Sequence, residues 1–447
     1  MIRRPPRSTL DRSSAASDVY KRQCLSMIEN PKIAIIGAGP SGITALKNLT
    51  TNGFNTTCFE MNDQIGGNCV YKDKTGHSSV FKTTHIISSK KFSEYTDFPM
   101  PEDYPDYPSG AELLAYFNSY VEKYNLKKFI KFNTNVKKAV HIDNKWKLFF
   151  NDSSEDFDYL IVANGHHWSP RIPTFEGEFS GELMHSHQFK NNEYFKDKSV
   201  LVVGGGNSAC DIAVEVSRVA KKTSISMRRG YHFIPKFMMG MPSDVYYAKS
   251  LWIPQRLRLI LQKLALRIVQ GSYKDYGLQK PDHDILQSHA TINSELLYFI
   301  KHGKISPKKN ISCFSGDNVE FLDGEKEKYD IVMFATGYKI KFPFFSNSTI
   351  DYENNDIDLY NFCFHPEYSN LMFVGLLQPL GCIWPLSDLQ SQQIVKYLKK
   401  EWKLPKDFKK AVFNQQNNMP YDFIDTPRHK LEVDFHEFKN HLTNEIN

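Results

Sequence analysis

Two glycine clusters in the 447-residue chain have the spacing of loops that bind nucleotide phosphates. The first, GAGPSG, follows the β-branched run Ile33 to Ile36 and opens a helical pattern from about Ser41 to Thr51. Glycines in this spacing allow a tight turn, a close backbone approach to a pyrophosphate and close helix packing. They are Gly37, Gly39 and Gly42. A second strand pattern, NTTCFE, ends at Glu60, whose carboxylate can accept hydrogen bonds from ribose hydroxyls. This cluster therefore predicts a dinucleotide site.

The second cluster, GGGNSACDIA, repeats the arrangement further along the chain. It follows the run Val200 to Val203, with Gly204 and Gly206 in the turn and Ala209 at the third position, which the pattern permits. The next strand pattern, TSISM, leads to Arg228 and Arg229 instead of an acidic residue. A guanidinium pair suits a ribose 2′-phosphate, so NADP is favoured over NAD. The alternative is a solvated pair of surface arginines.

The two clusters predict an α/β fold with two Rossmann-like dinucleotide-binding domains of parallel βαβ units. The segments DYLIVANGHHWSPRIP from Asp158 and YDIVMFATGYK from Tyr329 share a strand, a small-residue turn and an aromatic or proline-rich exit. Such segments carry the chain between domains, and their similarity suggests paired crossings. We therefore expect one domain in two pieces, at 31–169 and 329–399, with the second domain inserted at 170–328. A polar C-terminal tail is expected at 400–447.

Composition excludes several other classes of protein. Apolar residues make up 41% and charged residues 24% of the chain, as in soluble globular proteins. The net charge of +6 owes much to the Arg-rich stretch at residues 1–26, which we expect to be a non-native or disordered leader, so no nucleic-acid partner is predicted. Seven cysteines without a CxxC pair suggest reduced thiols and a cytoplasmic protein. The histidines show no metal-ligand spacing. No apolar run is long enough to span a membrane, and the segment after Pro254 predicts an amphipathic helix packed on its own protein.

The chain resembles the flavin-containing monooxygenase family of class B flavoproteins from about Lys32 to about Lys399. The resemblance rests on GAGPSG, CFE ending at Glu60, IGG at Ile65, DFPMPEDYP, GGGNSACDIA, ATGY and FVGLLQPLG. The most specific segment, FSGELMHSHQFK, fits the family's FxGxxxHxxxF/Y signature and resembles the branch that oxygenates nitrogen and sulfur. Its four signature positions are Phe179, Gly181, His185 and Phe189.

The resemblance implies an enzyme with FAD at the first site and NADP at the second. NADPH would reduce the flavin, O₂ would add to give a hydroperoxyflavin, and retained NADP⁺ would shield it until an amine or sulfide takes the distal oxygen. The cofactor carries the chemistry, so no catalytic residue is assigned. The implied partners are a small-molecule substrate and O₂, and a homodimer is a further expectation. His185 is expected to hold the interdomain linker by hydrogen bonds; the alternative is that it couples NADP binding to domain movement.

The candidate cofactor-binding residues lie on both glycine loops, on the segments that follow them and on the two crossing segments. They are Gly37, Ala38, Gly39, Pro40, Ser41, Gly42, Glu60, Gly67, Asn68, Cys69, Ile87, Gly204, Gly206, Asn207, Ser208, Ala209, Cys210, Asp211, Arg228, Arg229, Thr336, Gly337 and Gln378. Substrate-contacting side chains are expected from loops between about Ile234 and Asp284.

Two of these residues depart from the family pattern. Cys69 stands where many members have Trp, and Ile87 stands where the family usually has an Asn whose amide is placed near the flavin and the nicotinamide. Ile87 has no side-chain hydrogen bond to give. The departure leaves three alternatives open: an NADPH oxidase that releases H₂O₂, a Baeyer–Villiger enzyme acting on ketones, and a non-catalytic flavoprotein that binds nucleotides.

Overall fold

A computed structural model describes the chain at residues 30–72, 78–346, 350, 352, 357–417, 423–424 and 429–447. The predicted leader at residues 1–26 lies outside this part of the chain. The fold is α/β, as predicted, with two five-stranded parallel sheets.

The first sheet has the first glycine cluster at the end of its central strand. Its strands lie side by side in the order Leu371–Phe373, Tyr159–Val162, Lys32–Ile36, Asn55–Phe59 and Ile130–Lys131, all parallel. Ile33 and Ile35 face one apolar core while Ala34 and Ile36 face another, as strand alternation requires. The helices Pro40–Thr51 and Ile383–Leu398 pack on each other. Helix Gly110–Lys123 contributes buried aromatic rings to the same core as Ile33.

The second sheet repeats this arrangement around the second glycine cluster. Its strands follow the order Ser306–Lys308, Lys222–Ser226, Ser199–Val203, Ile331–Phe334 and Glu182–His185, again all parallel. Val200 and Val202 face one core, and Leu201 and Val203 face the other. The helices Asn207–Ser217 and Leu296–Lys301 pack together on this sheet.

Smaller elements complete the two units. Two antiparallel sheets comprise Lys138–Ile142, Lys145–Phe149 and Ser154–Phe157, and Ile311–Ser315, Asn318–Phe321 and Lys326–Lys328. Strand pairs join Phe233–Ile234 to Thr291–Ile292, Phe237–Met238 to Met241–Pro242, Ser169–Pro170 to Tyr338–Lys339, and Gln378–Pro379 to Glu432–Val433. The remaining α-helices are Lys90–Ser93, Ser243–Lys249, Gln255–Gln270, Phe408–Asn417 and Phe435–Ile446.

The boundary predicted at residue 329 differs from the structure. Strand Ile331–Phe334 lies in the second sheet, between Ser199–Val203 and Glu182–His185, and not in the first. The chain returns to the first sheet only after it. The pattern misled because a buried parallel strand carries the same apolar run in either sheet. The two crossing segments do pair with each other, since Tyr338–Lys339 runs antiparallel to Ser169–Pro170.

The segment expected to be a polar tail after residue 399 also differs from the structure. Helix Phe435–Ile446 buries Phe435, Phe438 and Leu442 in the core of the first sheet, beside Trp146 and Phe373. These apolar residues recur at helical spacing, so they form a buried face without forming a continuous apolar run.

Helix Gln255–Gln270 begins directly after Pro254, as predicted, but only part of its apolar surface is packed. Arg258 and Leu266 are buried, whereas Ile260, Leu264 and Ile268 are 61%, 54% and 75% exposed. Among the residues that the structure describes, no helix has the length and hydropathy needed to cross a membrane.

We expect Phe438→Ala to lower the free energy of unfolding by about 3–5 kcal/mol, because it removes a buried ring and leaves a cavity. Phe438 is 6% exposed and packs edge-on against Phe362, with ring centroids 5.8 Å apart. Denaturant unfolding of purified protein measures the change. The control is Phe413→Ala, at a ring that is 63% exposed, where the loss should stay below about 1 kcal/mol. Equal effects of the two substitutions would contradict the placement of the C-terminal helix.

Candidate functional site

In the first glycine loop, neighbouring backbone atoms lie so close to Gly37 and Gly42 that a side chain at either position would not fit. Gly37 has φ +100°, and a Cβ there would lie 2.7 Å from the carbonyl oxygen of Ala163. A Cβ on Gly42 would lie 1.8 Å from the carbonyl oxygen of Gly37. Gly39 is different, because its backbone is extended and an added Cβ would meet only backbone atoms of Gly67, the nearest at 3.6 Å. The fold itself therefore tolerates a side chain at Gly39, and the bare backbone there is available to a ligand.

The start of helix Pro40–Thr51 is open to an anion. Gly39 caps this helix without a side-chain hydrogen bond, and the first turn, which includes Ser41, contains no acidic residue. Amides at such a position have no partner within the helix and carry partial positive charge. Pro40 has no N–H and the Ala38 N–H donates to Glu60, so the predicted residues whose amides are left for an anion are Gly39, Ser41 and Gly42.

The IGG segment forms a wall beside this loop. The Gly66 N–H donates to the carbonyl of Ala38 at 3.0 Å, and a Cβ on Gly67 would lie 3.1 Å from the Gly39 Cα. Asn68 is exposed, and its carbonyl accepts from the Val80 N–H at 2.8 Å. Burial raises the pKa of the Cys69 thiol to about 12, so this residue remains a neutral thiol.

Glu60 is brought to the first loop, although its carboxylate already has protein partners. Its Oε2 accepts from the Ala38 N–H at 2.8 Å, and its Oε1 accepts from the Asn62 backbone and side-chain nitrogens at 2.9 and 2.7 Å. The side chain is 4% exposed. A carboxylate has about four lone-pair positions, so one remains for a ribose hydroxyl. Glu60 thus orients the loop, and its contact with a ribose stays a prediction.

The second glycine loop repeats the steric constraint of the first. Gly204 has φ +139°, and a Cβ there would lie 2.5 Å from the carbonyl oxygen of Ala335. Gly206 caps helix Asn207–Ser217 without a side-chain hydrogen bond, and the first turn is free of acidic residues. Ser208 is exposed at this helix start, whereas Ala209 is buried beneath it. The exposed edge of the loop therefore suits an anion as well.

Three residues predicted to bind cofactor have side chains that are buried or already hydrogen-bonded within the protein, and their contact with a cofactor stays a prediction. The Asn207 side chain donates to the Ala290 carbonyl at 3.2 Å and accepts from the Ile292 N–H at 2.6 Å. Asp211 accepts from the Asn293 amide at 2.7 Å, and burial raises its pKa to about 6. Cys210 is fully buried. These contacts connect the glycine loop to the strand Thr291–Ile292, which the one-dimensional pattern could not indicate.

Arg228 and Arg229 lie at the end of strand Lys222–Ser226, as predicted, in different environments. Arg228 is exposed, whereas Arg229 is half-buried with its guanidinium 5.7 Å from the Tyr231 ring centroid. The Arg229 Nε is buried and has no hydrogen-bond partner among the described residues. A buried donor left unpaired costs about 1–3 kcal/mol, which an anionic oxygen would relieve. The pair therefore fits a 2′-phosphate, with Arg229 as the better placed of the two.

Thr336 and Gly337 lie where the chain crosses between the sheets, and His185 holds them there. His185 Nδ1 accepts from the His187 N–H at 3.1 Å, so its Nε2 carries the proton and donates to the Gly337 carbonyl at 3.1 Å. Burial lowers the pKa of His185 to about 4, which keeps the ring neutral. Thr336 donates from its hydroxyl to the Arg171 carbonyl. These contacts agree with the expected linker-holding role of His185.

Gln378 precedes Pro379 in a short strand. Its Oε1 lies 3.3 Å from the Nε2 of His166, on the other crossing segment. The strand Gln378–Pro379 pairs with Glu432–Val433 of the C-terminal segment. Gln378 thus connects the crossing to the part of the chain that closes the first core.

Ile87 lines an apolar cavity that both units and the C-terminal segment enclose. Among the described residues that line it there is no lysine or arginine, and there are two aspartates and two histidines. The main lining side chains are Ile87, Phe92, Tyr107, Ile234, Met238, Asp244, Tyr246, Tyr247, Gln262, Leu266, Ile285, Leu286, His289, Ile292, Leu380, Asp434, Phe435 and His436. The interval expected to line the substrate site, from about Ile234 to Asp284, supplies several of them. The contribution of Asp434 to His436 was missed, because the tail was assumed to be polar.

Two parallel sheets, each with a glycine-rich loop at the end of its central strand, define a flavoprotein with two dinucleotide sites. The flavin-binding monooxygenase-like family matches residues 30–447. A dimethylaniline monooxygenase (N-oxide-forming) from Macaca mulatta is 33% identical over 405 residues, which cover 84% of this chain and 75% of that protein.

Two solved structures share the fold. The S-allyl-L-cysteine S-oxygenase of Allium sativum has a TM-score of 0.70 at 23% identity, covering 93% of this chain and 88% of its own. An open crystal structure of cyclohexanone monooxygenase has a TM-score of 0.72 at 13% identity, covering 93% and 98%.

The chain belongs to the flavin-containing monooxygenase family. It is an FAD-dependent enzyme that uses NADPH and O₂ to oxygenate a small-molecule substrate, as the sequence resemblance predicted.

We expect Gly39→Ala to weaken FAD binding by about tenfold or more without unfolding the protein, because the protein leaves space for the methyl group and a pyrophosphate would not. The flavin-to-protein absorbance ratio after gel filtration measures the loss, and thermal unfolding of the flavin-free protein measures stability. Gly42→Ala is the comparison, since its methyl group would overlap the Gly37 carbonyl and lower stability directly. Full flavin content in Gly39→Ala would refute the assigned role.

We expect Arg229→Ala to raise KM for NADPH by about 10- to 100-fold, in line with a lost hydrogen bond to a charged group. The KM for NADH, which lacks the 2′-phosphate, should change by no more than about twofold. Steady-state NAD(P)H oxidation provides both values. Arg218→Ala, at an exposed arginine paired with Glu215 and Glu295, is the control. An equal rise for both nucleotides would indicate a structural role for Arg229.

Proposed function

We propose that this enzyme transfers oxygen to a soft nucleophile, an amine nitrogen or a sulfide sulfur. The observation that carries the proposal is the cavity at Ile87, whose walls are mostly aliphatic and aromatic, with no lysine or arginine in the part of the wall that the structure describes. Such walls bind an uncharged, apolar reacting group and exclude water from it. The name of the N-oxide-forming relative and that of the structurally similar S-oxygenase support the same chemistry.

In this proposal each glycine loop holds one cofactor. The backbone amides of Gly39, Ser41 and Gly42 bind the FAD pyrophosphate, and Glu60, which keeps the Ala38 amide, faces its ribose. The loop from Gly204 to Ala209 binds the NADP pyrophosphate, and Arg229 binds the 2′-phosphate. When bound, FAD supplies hydride acceptance from NADPH and activation of O₂. The protein's own part is to orient both cofactors and to keep the cavity dry.

No acid–base residue is needed within this scheme. His185 and Cys69 are both neutral at physiological pH, because burial lowers the pKa of the imidazole and raises that of the thiol. Neither serves as a proton donor or a nucleophile. Positioning and water exclusion are the two functions that the described side chains can perform.

Ile87 favours a second function, an NADPH oxidase that releases H₂O₂. Its side chain offers no hydrogen bond, and the neighbouring Ser88 hydroxyl is already bonded to Ser93 at 2.9 Å. With Ile87 at this position, backbone groups and NADP⁺ would have to supply the hydrogen bonds beside the flavin. Without such bonds, the reducing equivalents of NADPH would pass to O₂ and leave as H₂O₂.

Four further expectations belong to this proposal. The cytoplasmic location rests on composition and cysteine usage, and the homodimer rests on the resemblance alone. The other two are alternative activities, ketone oxygenation and a non-catalytic role in nucleotide binding, and the experiment below separates them from the main proposal.

The deciding experiment is a coupling measurement on the FAD-loaded enzyme. NADPH consumed, H₂O₂ released and oxygenated product formed are measured with N,N-dimethylaniline, an alkyl aryl sulfide and cyclohexanone. Product from the amine or sulfide with little peroxide supports the proposal. Product from the ketone alone indicates Baeyer–Villiger chemistry, and stoichiometric peroxide throughout indicates an oxidase. Flavin that NADPH fails to reduce without oxygen indicates a non-catalytic protein.

We expect Ile87→Asn to lower the share of NADPH that ends as H₂O₂ by about two- to tenfold, as one added hydrogen bond would. The amide would face the cavity that Ile87 now lines. The same coupling measurement gives the ratio, and Ile87→Leu is the control because it changes shape without adding a donor. An unchanged ratio in Ile87→Asn would show that this position does not govern peroxide release.

A further inference from the structure

Gln262 is a polar residue on the inner face of helix Gln255–Gln270. It lines the Ile87 cavity together with Ala265 and Leu266. These residues follow at three and four positions along the helix, so all three side chains project to the same side. The outer face of this helix is exposed, which leaves the inner face as the one that contacts a bound substrate.

The side-chain oxygen of Gln262 has no hydrogen-bond donor among the described residues. This atom, Oε1, is buried. A buried amide oxygen without a donor is unfavourable, because it has lost its water and gained nothing in return. A leucine at this place would pack against the same walls without that cost. The amide is therefore matched to a group that the free protein does not contain.

The charges around the cavity favour a hydrogen-bond donor as that group. Asp244 Oδ2 accepts from the Ser89 N–H at 2.6 Å, and Asp434 Oδ1 accepts from the Glu437 N–H at 2.9 Å, so both carboxylates are fixed in the cavity wall. Arg258 lies 5.0 Å from the Tyr247 ring centroid and is not part of the lining. The lining thus offers acceptors and negative charge.

We propose that Gln262 determines substrate specificity: its Oε1 accepts a hydrogen bond from an N–H or O–H group carried by an otherwise apolar substrate. The inference rests on the proposed function, since it takes the Ile87 cavity as the substrate site. The recognised donor is remote from the nitrogen or sulfur that receives oxygen, and the apolar walls hold the remainder of the molecule. A hydroxyl and an ammonium group both supply this donor.

The test compares four aryl alkyl sulfides that differ only in the terminal group of the alkyl chain, namely methyl, hydroxyl, ammonium and methoxy. Binding to the enzyme loaded with FAD and NADP⁺ is measured by calorimetry, and KM and kcat are measured separately with NADPH. We expect the hydroxyl and ammonium compounds to bind about tenfold more tightly than the methoxy compound, which has no donor. Gln262→Leu should abolish the preference for the hydroxyl compound, which would then bind no more tightly than the methoxy compound.

Gln262→Glu is the control for Gln262→Leu, because it keeps an acceptor oxygen at the same position. It should retain the preference for hydroxyl and strengthen that for ammonium. Thermal unfolding of each variant separates a folding defect from a recognition defect. A preference for the hydroxyl compound that persists in Gln262→Leu, or an equal gain for the methoxy compound, overturns the role of Gln262. Absence of oxygenated product with all four sulfides and with N,N-dimethylaniline refutes the proposed function, while the binding comparison still tests Gln262.

Discussion

The architecture depends on two places where main chains touch without an intervening side chain. In the first sheet the turn at Gly37 lies against the Ala163 carbonyl, and in the second the turn at Gly204 lies against the Ala335 carbonyl. In both sheets the central strand ends beside the point at which the chain leaves the adjacent strand. This contact decides where the nucleotide loop lies, and it also decides where the adjacent strand leaves the sheet.

The path between the two units follows from these contacts. The chain that leaves the first sheet past Ala163 and the chain that leaves the second past Ala335 become the crossing segments. They pair at Ser169–Pro170 and Tyr338–Lys339, and His185 binds the Gly337 carbonyl beside them. The same steric constraint occurs in both sheets. It therefore determines the positions of both glycine loops and of the paired crossing segments that connect the two units. The cavity at Ile87 is the space left where these parts meet the C-terminal segment.

Local patterns predicted the parts of the site that depend on backbone conformation. The glycine loops, Glu60 and the arginine pair could be read from the sequence because each requires particular residue types at fixed spacing. The sequence could not show which of the two sheets contains strand Ile331–Phe334, because this depends on which neighbouring strand accepts its hydrogen bonds. Asn207 fits the cofactor pattern yet contacts the strand Thr291–Ile292, and Asp211 contacts Asn293, which follows that strand. Gln262 belongs to no sequence motif. That its side-chain oxygen is unpaired follows only from the three-dimensional arrangement of the cavity walls.

The discontinuity of the first unit has a consequence for the order in which the protein is built. The second sheet uses strands from Glu182 to Phe334 and is complete in one continuous stretch of chain. The first sheet begins with strand Lys32–Ile36 but is complete only when Leu371–Phe373 is added, and its core is complete only with Phe435 and Leu442. Contacts so distant in sequence form late, because loop closure costs entropy before they are made. During synthesis the inserted unit can therefore fold first and serve as a platform, and the substrate cavity is the last feature to close.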